Sequence, residues 1–276
     1  MSNNKKIRMI IDNLHDTASL TATSAAMPIT YTQQSGRAYM WRSTSTSQQV
    51  ITAQLPSPQF IDAIVLYRHN LSAGARVQIE LLDEAGDVVY DTQPVAIAEF
   101  VPAGIFRLGI DAWGAAYNEQ IPVNLKAFWL PQTPISSYRI TINDPLNELG
   151  YFEIGRIVTG LSFSPTYNPE YGLSLEWDES NIVHERTEGG SLRSLGQGIS
   201  RRISLTLNRL TDNDRQKLTT ELVKRGKSAD VFISIYPEQG GLKEIEHSFL
   251  SRRENNFTPV RENINYWSTQ LTFNEV

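Results

Sequence analysis

The residues that most readily do chemistry are thinly spread in this chain. There are four histidines, His15, His69, His184 and His247, each without another histidine nearby in sequence. None falls in an HExxH arrangement or at the i, i+4 spacing that sets two imidazoles on one helical face for a metal ion. The glycine-bearing stretches 155–160 and 189–198 lack the GxxxxGK[ST] pattern, and no GxGxxG opens a helix, so no phosphate cradle is expected. A GxSxG elbow is also missing. Adjacent carboxylates such as Asp83/Glu84 and Asp178/Glu179 read as solvated turns rather than acid/base pairs. His184 beside Glu185 would face opposite ways on a strand. The expectation is a protein that is not an enzyme, with no metal site and no cofactor.

Binding chemistry has more candidates. Trp41 and Arg42 precede an extended run, and Tyr67, Arg68, His69 and Asn70 follow a nearly continuous apolar one. At the ends of strands, Trp41 offers a ring to stack on a sugar, and Arg68 and His69 offer hydrogen bonds to its hydroxyls. The alternative is that Trp41 plugs the end of a barrel while Arg68 pairs with a nearby acid. In the other half, Arg201 and Arg202 open an alternating strand and are candidate subunit contacts, together with Tyr171.

The elements that must position these residues are mostly strands. Gln49–Leu55 is bounded by Pro56 and Pro58 and followed by Phe60–Tyr67, which reads as a strand buried on both faces. Val77–Leu82 alternates and leads through a polar turn at 83–87 to Val88–Tyr90, a hairpin signal. Leu125–Leu130 and Tyr138–Ile142 add two more. Short strands separated by Pro, Gly, Asn and Asp suggest a β-sandwich or jelly roll. Residues 104–123 mix glycines with Phe106, Trp113 and Tyr117 without a period, the pattern of a contact loop or of an Ω-loop packing its own aromatics.

From Tyr151 the pattern changes. The strand Tyr151–Thr159 leads into a glycine- and proline-rich region, and Ile199–Asn208 points Ile203, Leu205 and Leu207 one way and Arg202, Ser204 and Thr206 the other. Thr211 caps a helix near 212–225, with Asp212 and Asp214 in its first turn, an apolar stripe of Leu218, Leu222 and Val223, and Gly226 as its stop. Val231–Tyr236, Glu244–Leu250 and Tyr266–Phe273 read as strands. The expected division is a jelly-roll domain over 1–155 and a β-rich domain with one packed helix over 156–276.

Composition narrows the partners. A net charge of −5 over 276 residues argues against nucleic acid, whose phosphates call for a basic surface. No cysteine is present, which excludes disulfides and thiolate metal sites. No apolar run nears the roughly 20 residues of a membrane span, and the N-terminus lacks a signal-peptide core, so synthesis in a cytoplasm and no membrane insertion are expected.

Two ordered blocks carry a family likeness. Trp41-Arg42, the run Phe60–Leu66, His69-Asn70-Leu71 and Gly74–Val77 resemble the discoidin-like, galactose-binding-like jelly rolls of phage structural proteins. The second block, Tyr151–Gly160 with Tyr167–Gly172 and Arg201–Leu205, resembles a pattern of the same tail proteins. The resemblance implies a tail-tip or baseplate component of a long-tailed bacteriophage, in the place of a distal tail protein. Its partners would be itself in a ring (hexamer or trimer), the tail tube, the tail hub and the receptor-binding protein, and its location the virion tail tip. It transfers no sugar-binding residue. The alternative function is a carbohydrate-binding module that recognises host-surface glycans.

Overall fold

A computed structural model describes residues 6–101, 103–117, 124–179, 182–196 and 198–276. The chain is mostly β, as expected, and its strands form antiparallel sheets. It forms two compact units. The first holds residues up to Ser164 together with Phe232–Ser248, and the second holds Pro165–Val231 and Phe249–Val276. The expected boundary at 155/156 falls inside a strand of the first unit, and a late segment of the chain returns to that unit. Both features escape a reading that cuts a sequence once.

In the first unit the strands are β1 (Arg8–Ile10), β2 (Ser19–Ala22), β3 (Trp41–Arg42), β4 (Gln49–His69), β5 (Arg76–Leu82), β6 (Val88–Asp91), β7 (Val95–Ala96), β8 (Leu125–Asn143) and β9 (Glu153–Gly160). Two long strands, β4 and β8, pair along their length with breaks between Gln54 and Gln59 and between Ile61 and Ala63. Pro56, Pro58, Pro131 and Pro134 lie at or beside these breaks, where a missing amide proton does least harm to a ladder. The two segments expected on either side of Pro56 are therefore one bent strand. Before the breaks, β4 is flanked by β2 and β8, and β8 continues to β5. Beyond them, β4 lies between β8 and β9, and β9 carries β3. Ile51, Ile79 and Ile140 from one half and Trp41, Ile64 and Ile154 from the other share one apolar cluster, which makes the unit a β-sandwich. β1 pairs with Phe232–Ser234, part of the strand β14 (Val231–Ser234).

The second unit contains β10 (Ser174–Asp178), β11 (Val183–Arg186), β12 (Leu192–Leu195), β13 (Ser200–Leu210), most of β15 (Ser248–Arg253), β16 (Val260–Arg261) and β17 (Trp267–Glu275). β13 runs between β10 and β17, and β17 also pairs with β15 and β16. β11 and β12 form a separate two-stranded sheet.

The expected helix is present over Asp212–Leu218 and continues through a π turn, Thr219–Val223. Thr211 accepts from the Asp214 amide at 3.2 Å while the Asp214 carboxylate reaches back to the Thr211 amide, a reciprocal cap. Leu218 and Leu222 are buried, but Val223 is exposed, because the wider π turn rotates it off the stripe. The strand expected at Glu244–Leu250 begins only at Ser248. Residues Gly241–Glu246 are helical, and the Glu244 carboxylate, by accepting from the Glu238 and Gly240 amides, holds that short helix's N-terminal end.

Candidate functional site

The proposed sugar contacts do meet, but inside the first unit. In the antiparallel rung across β3, β9 and β4, Trp41 stands opposite Ile154 and Ile154 opposite His69. Directly opposed residues share a face, and this face is the core. Trp41 is fully buried and its indole N–H donates to the Ser24 carbonyl at 3.0 Å. A ring in that position cannot stack on a sugar arriving from solvent. His69 is 3% exposed, and neither of its ring nitrogens has a hydrogen-bond partner among the described residues. Burial, reinforced by the Lys126 charge, lowers its pKa to about 4. Arg68 holds a left-handed backbone, φ 56°, with its guanidinium 5.2 Å from the Tyr67 ring centre. Its neighbour across the ladder is Gly155, where a Cβ would lie 3.1 Å from that of Arg68. The three residues thus do not form a solvent-facing platform.

The resemblance blocks turn out to be a frame. Arg42 pairs with Glu153, its Nε 2.7 Å from the carboxylate, and lies over the Tyr151 ring at 4.4 Å. The Asn70 side chain donates to the Tyr151 carbonyl and accepts from the Glu153 amide. Arg156 is buried against Asp16 and the Thr32 carbonyl. Gly160 lies where a Cβ would be 2.4 Å from the Asp12 carbonyl oxygen, which only glycine permits. Residues from "WR", "HN" and "EIGR" therefore lock β3, β9 and the end of β4 together.

A second buried histidine sits beside this frame. His15 meets the Tyr138 hydroxyl at 2.5 Å through Nδ1 and Thr32 Oγ1 at 2.8 Å through Nε2. Thr32 spends its own proton on the Ile29 carbonyl, so it accepts from His15 Nε2–H, and Nδ1 accepts from Tyr138. The imidazole is neutral. Burial first, then the Arg156 charge, lowers its pKa to about 3.

In the second unit the two arginines part company. Arg201 is fully buried, donating from its amide, Nε and a terminal nitrogen to Glu275 at 3.0, 2.9 and 2.6 Å, with Phe249 and Trp177 against its guanidinium. As an internal pin it cannot be a subunit contact. Strand parity explains this: Arg201 shares the inward face of Ile203 and Leu205. Arg202 points outward and pairs with Glu254 and, at 3.9 Å, with Glu176. Tyr171 is fully exposed.

Two features remain at the surface of the first unit. A cleft of about 200 Å³ is lined by Glu99, Lys126, Trp129, Glu238 and Glu244 among others. Its charges are matched internally: Lys126 pairs with Glu99 and Arg8 with Glu238, while Glu244 accepts from the Trp129 indole N–H at 2.9 Å. Above Glu99 rises the aromatic loop. Its base is closed by Val101–Ala115 and Tyr117–Glu99 hydrogen bonds, and Arg107 is forked onto Asp111. Leu108 and Trp113 are 82% and 88% exposed, with Ile105 and Ile110 close behind. Phe106 packs on Trp113 with ring centres 5.4 Å apart. Residues 118–123 of the loop expected from the sequence lie outside the described residues.

No family profile matches this sequence, and no curated protein matches it. Solved structures give partial likenesses to about half of the chain. One is a Clostridium perfringens protein described as CpGH89CBM32-5, in complex with GalNAc-β-1,3-galactose, at 10% identity, covering 54% of this chain and 99% of that one with a TM-score of 0.38. Another is the lectin domain of lectinolysin complexed with Lewis B antigen, at 12% identity, 55% and 98% coverage and a TM-score of 0.38. A third is a fucose-binding module from Streptococcus pneumoniae, at 10% identity, 54% and 96% coverage and a TM-score of 0.37.

Proposed function

We propose that this chain is an assembly component that acts by docking onto other proteins rather than by turning over a substrate, as a tail-tip or baseplate protein of a long-tailed bacteriophage does. The observation that carries the reading is the loop above Glu99, where Ile105, Leu108, Ile110 and Trp113 stand in solvent within one short stretch. Clustered apolar side chains of this kind mark protein contacts far more often than idle surface. Its closed base and the Arg107–Asp111 fork give it a set shape, so little ordering remains to be done on contact. The ordered likeness of the frame residues to tail proteins supplies the setting. The test is light scattering of the purified chain, followed by imaging of assembled particles from the Leu108→Ser/Trp113→Ser variant. Oligomer in solution and particles lacking the variant chain are expected. A monodisperse monomer, and particles that incorporate the variant normally, would reject the reading.

A second reading, glycan recognition by the first unit, is favoured by the cleft. The partly exposed Trp129 indole, with the Arg8 guanidinium over its ring at 4.8 Å, lies beside the Glu99, Glu238 and Glu244 carboxylates and Lys126, polar groups that a sugar's hydroxyls could engage once Arg8 swings aside. Galactose, fucose and Lewis B oligosaccharides are suitable probes. Binding that is lost in Trp129→Ala and kept in Leu108→Ser/Trp113→Ser would establish this reading in place of the first.

A further inference from the structure

We infer that Arg253 is an oxyanion-binding residue, its buried guanidinium completed by a carboxylate or phosphate group that comes from outside this chain. Arg253 closes β15 and stands opposite Phe273, which stands opposite Ile203, which in turn stands opposite Leu175. Directly opposed residues share a face, so this cation occupies one place in an otherwise apolar rung on the inward side of the sheet. It is 6% exposed. Its Nε is closed off from solvent without an acceptor, and the guanidinium makes no hydrogen bond or ion pair among the described residues. Burial draws its pKa down, and no carboxylate opposes that draw. An arginine nevertheless stays charged at neutral pH, so it cannot escape the cost of burial by giving up a proton.

The neighbouring arginines are served from within the chain. Arg201 is held by Glu275, Arg202 by Glu254 and Arg252 by Asp230 at 2.9 Å. The carboxylates beside Arg253 in the ladder are thus committed to other cations. A charge taken out of water is costly unless a partner offsets the loss. An arginine stem is long enough to carry its head group back to water when nothing requires it inside, yet this one stays enclosed. The chemistry of the partner follows from the donor. A guanidinium presents a planar fork that matches two oxygens on one carbon or phosphorus atom. With so little of the side chain open, the approach is narrow, and a compact oxyanion fits it where a sugar or aromatic ring does not.

The experiment is thermal unfolding of the full chain at pH 7, followed by Trp fluorescence, in rising inorganic phosphate or acetate with chloride holding the ionic strength constant. A ligand that binds the folded state raises the midpoint, and its affinity is read from the concentration dependence. The wild-type midpoint is expected to rise with one or both oxyanions. A rise with acetate as well as phosphate assigns a carboxylate, the group a protein partner would bring, whereas a rise with phosphate alone assigns a phosphate-bearing ligand. Arg253→Met keeps an apolar stem without the charge and is expected to respond to neither. Arg253→Lys keeps the charge without the fork and is expected to bind about tenfold more weakly or worse. A wild-type midpoint that moves with neither oxyanion would overturn the site, as would an Arg253→Met chain that responds as wild type does. If Arg253→Met does not fold, Arg253→Lys decides, and an affinity equal to that of wild type would overturn the site. These outcomes leave the assembly reading in place.

Discussion

The two units hold themselves together by different means. The first encloses a large apolar cluster with two neutral histidines beside it, His15 held as the uncharged imidazole between Tyr138 and Thr32 and His69 simply buried, while its buried Arg156 and Asp144 are met by Asp16 and by the Ser72 amide and hydroxyl. The second keeps a charge inside. Arg201 is pinned to Glu275 and sandwiched by aromatic rings under a smaller sheet. A buried neutral histidine is indifferent to which ionic partner is lost and vulnerable to any proton that must enter. A buried ion pair has the opposite weakness, because removing one member strands the other.

The sharpest way to break this comparison is to strike each interior separately. Trp41→Ala removes a fully buried indole and its bond to Ser24, with an expected loss of about 3–5 kcal/mol. Arg201→Ala leaves the Glu275 carboxylate without its fork and is expected to lose a similar ~3–5 kcal/mol. Chemical denaturation followed by Trp fluorescence and by limited proteolysis should show each variant opening fragments of its own unit first. If Arg201→Ala were no more harmful than Arg202→Ala, the loss of an outward, solvent-screened arginine that is expected to have little effect, the account of the second interior would be wrong.

Acid is the next probe, and it addresses the first unit. His15 and His69 titrate near their ordinary 6.5 when unfolded and near 3 and 4 when folded. Between those values the unfolded chain binds more protons, so stability rises with pH in that window and is complete above about 6.5. As pH falls from 6.5 toward 4, each histidine is expected to remove about 1.4 kcal/mol per pH unit. The check is the thermal midpoint of the first unit against pH, with His15→Gln and His69→Leu as controls. A midpoint that is flat from pH 7 to 4.5 in the wild type would remove the buried neutral histidines from the comparison.

The smallest effect concerns the two surface projections. The aromatic loop of the first unit is tied at its base and by Arg107–Asp111, whereas the β11–β12 hairpin is held by its own ladder, the Thr187–Ser191 turn and the exposed His184–Ser194 and Arg186–Gly190 hydrogen bonds. In hydrogen exchange of the dilute chain, the hairpin amides are expected to exchange before those of Val101 and Tyr117 by about tenfold or more, equivalent to about 1.4 kcal/mol of local opening. Equal rates would mean that the two projections are equally set.

Much of this was legible from the residues. Alternation at 200–210 placed the strand and its faces, and the Thr211 and Asp214 spacing placed the helix start, because both are local signals. The same alternation already turned Arg201 inward, but a cation is expected outside, and the expectation of exposure outweighed the parity. Trp41 and His69 looked like loop-end residues because nothing local shows that β9 will arrive between them and bury both. The helix at Gly241–Glu246 went unread for a similar reason. Glu244 is fixed by the Trp129 indole and by the amides of residues 238 and 240, partners that an apolar pattern does not report.

The return of Phe232–Ser248 to the first unit bears on the order in which the chain can fold as it is made. Ribosomes deliver residues from the N-terminus, and domains commonly fold as they emerge. Here β1 must wait with its outer ladder open until residues 232–234 appear, after most of the second unit has left the exit tunnel. Arg8 likewise waits for Glu238, and Trp129 for Glu244. A nascent sandwich therefore carries an unfinished border through much of its synthesis, and its last seam closes only when translation has passed residue 248.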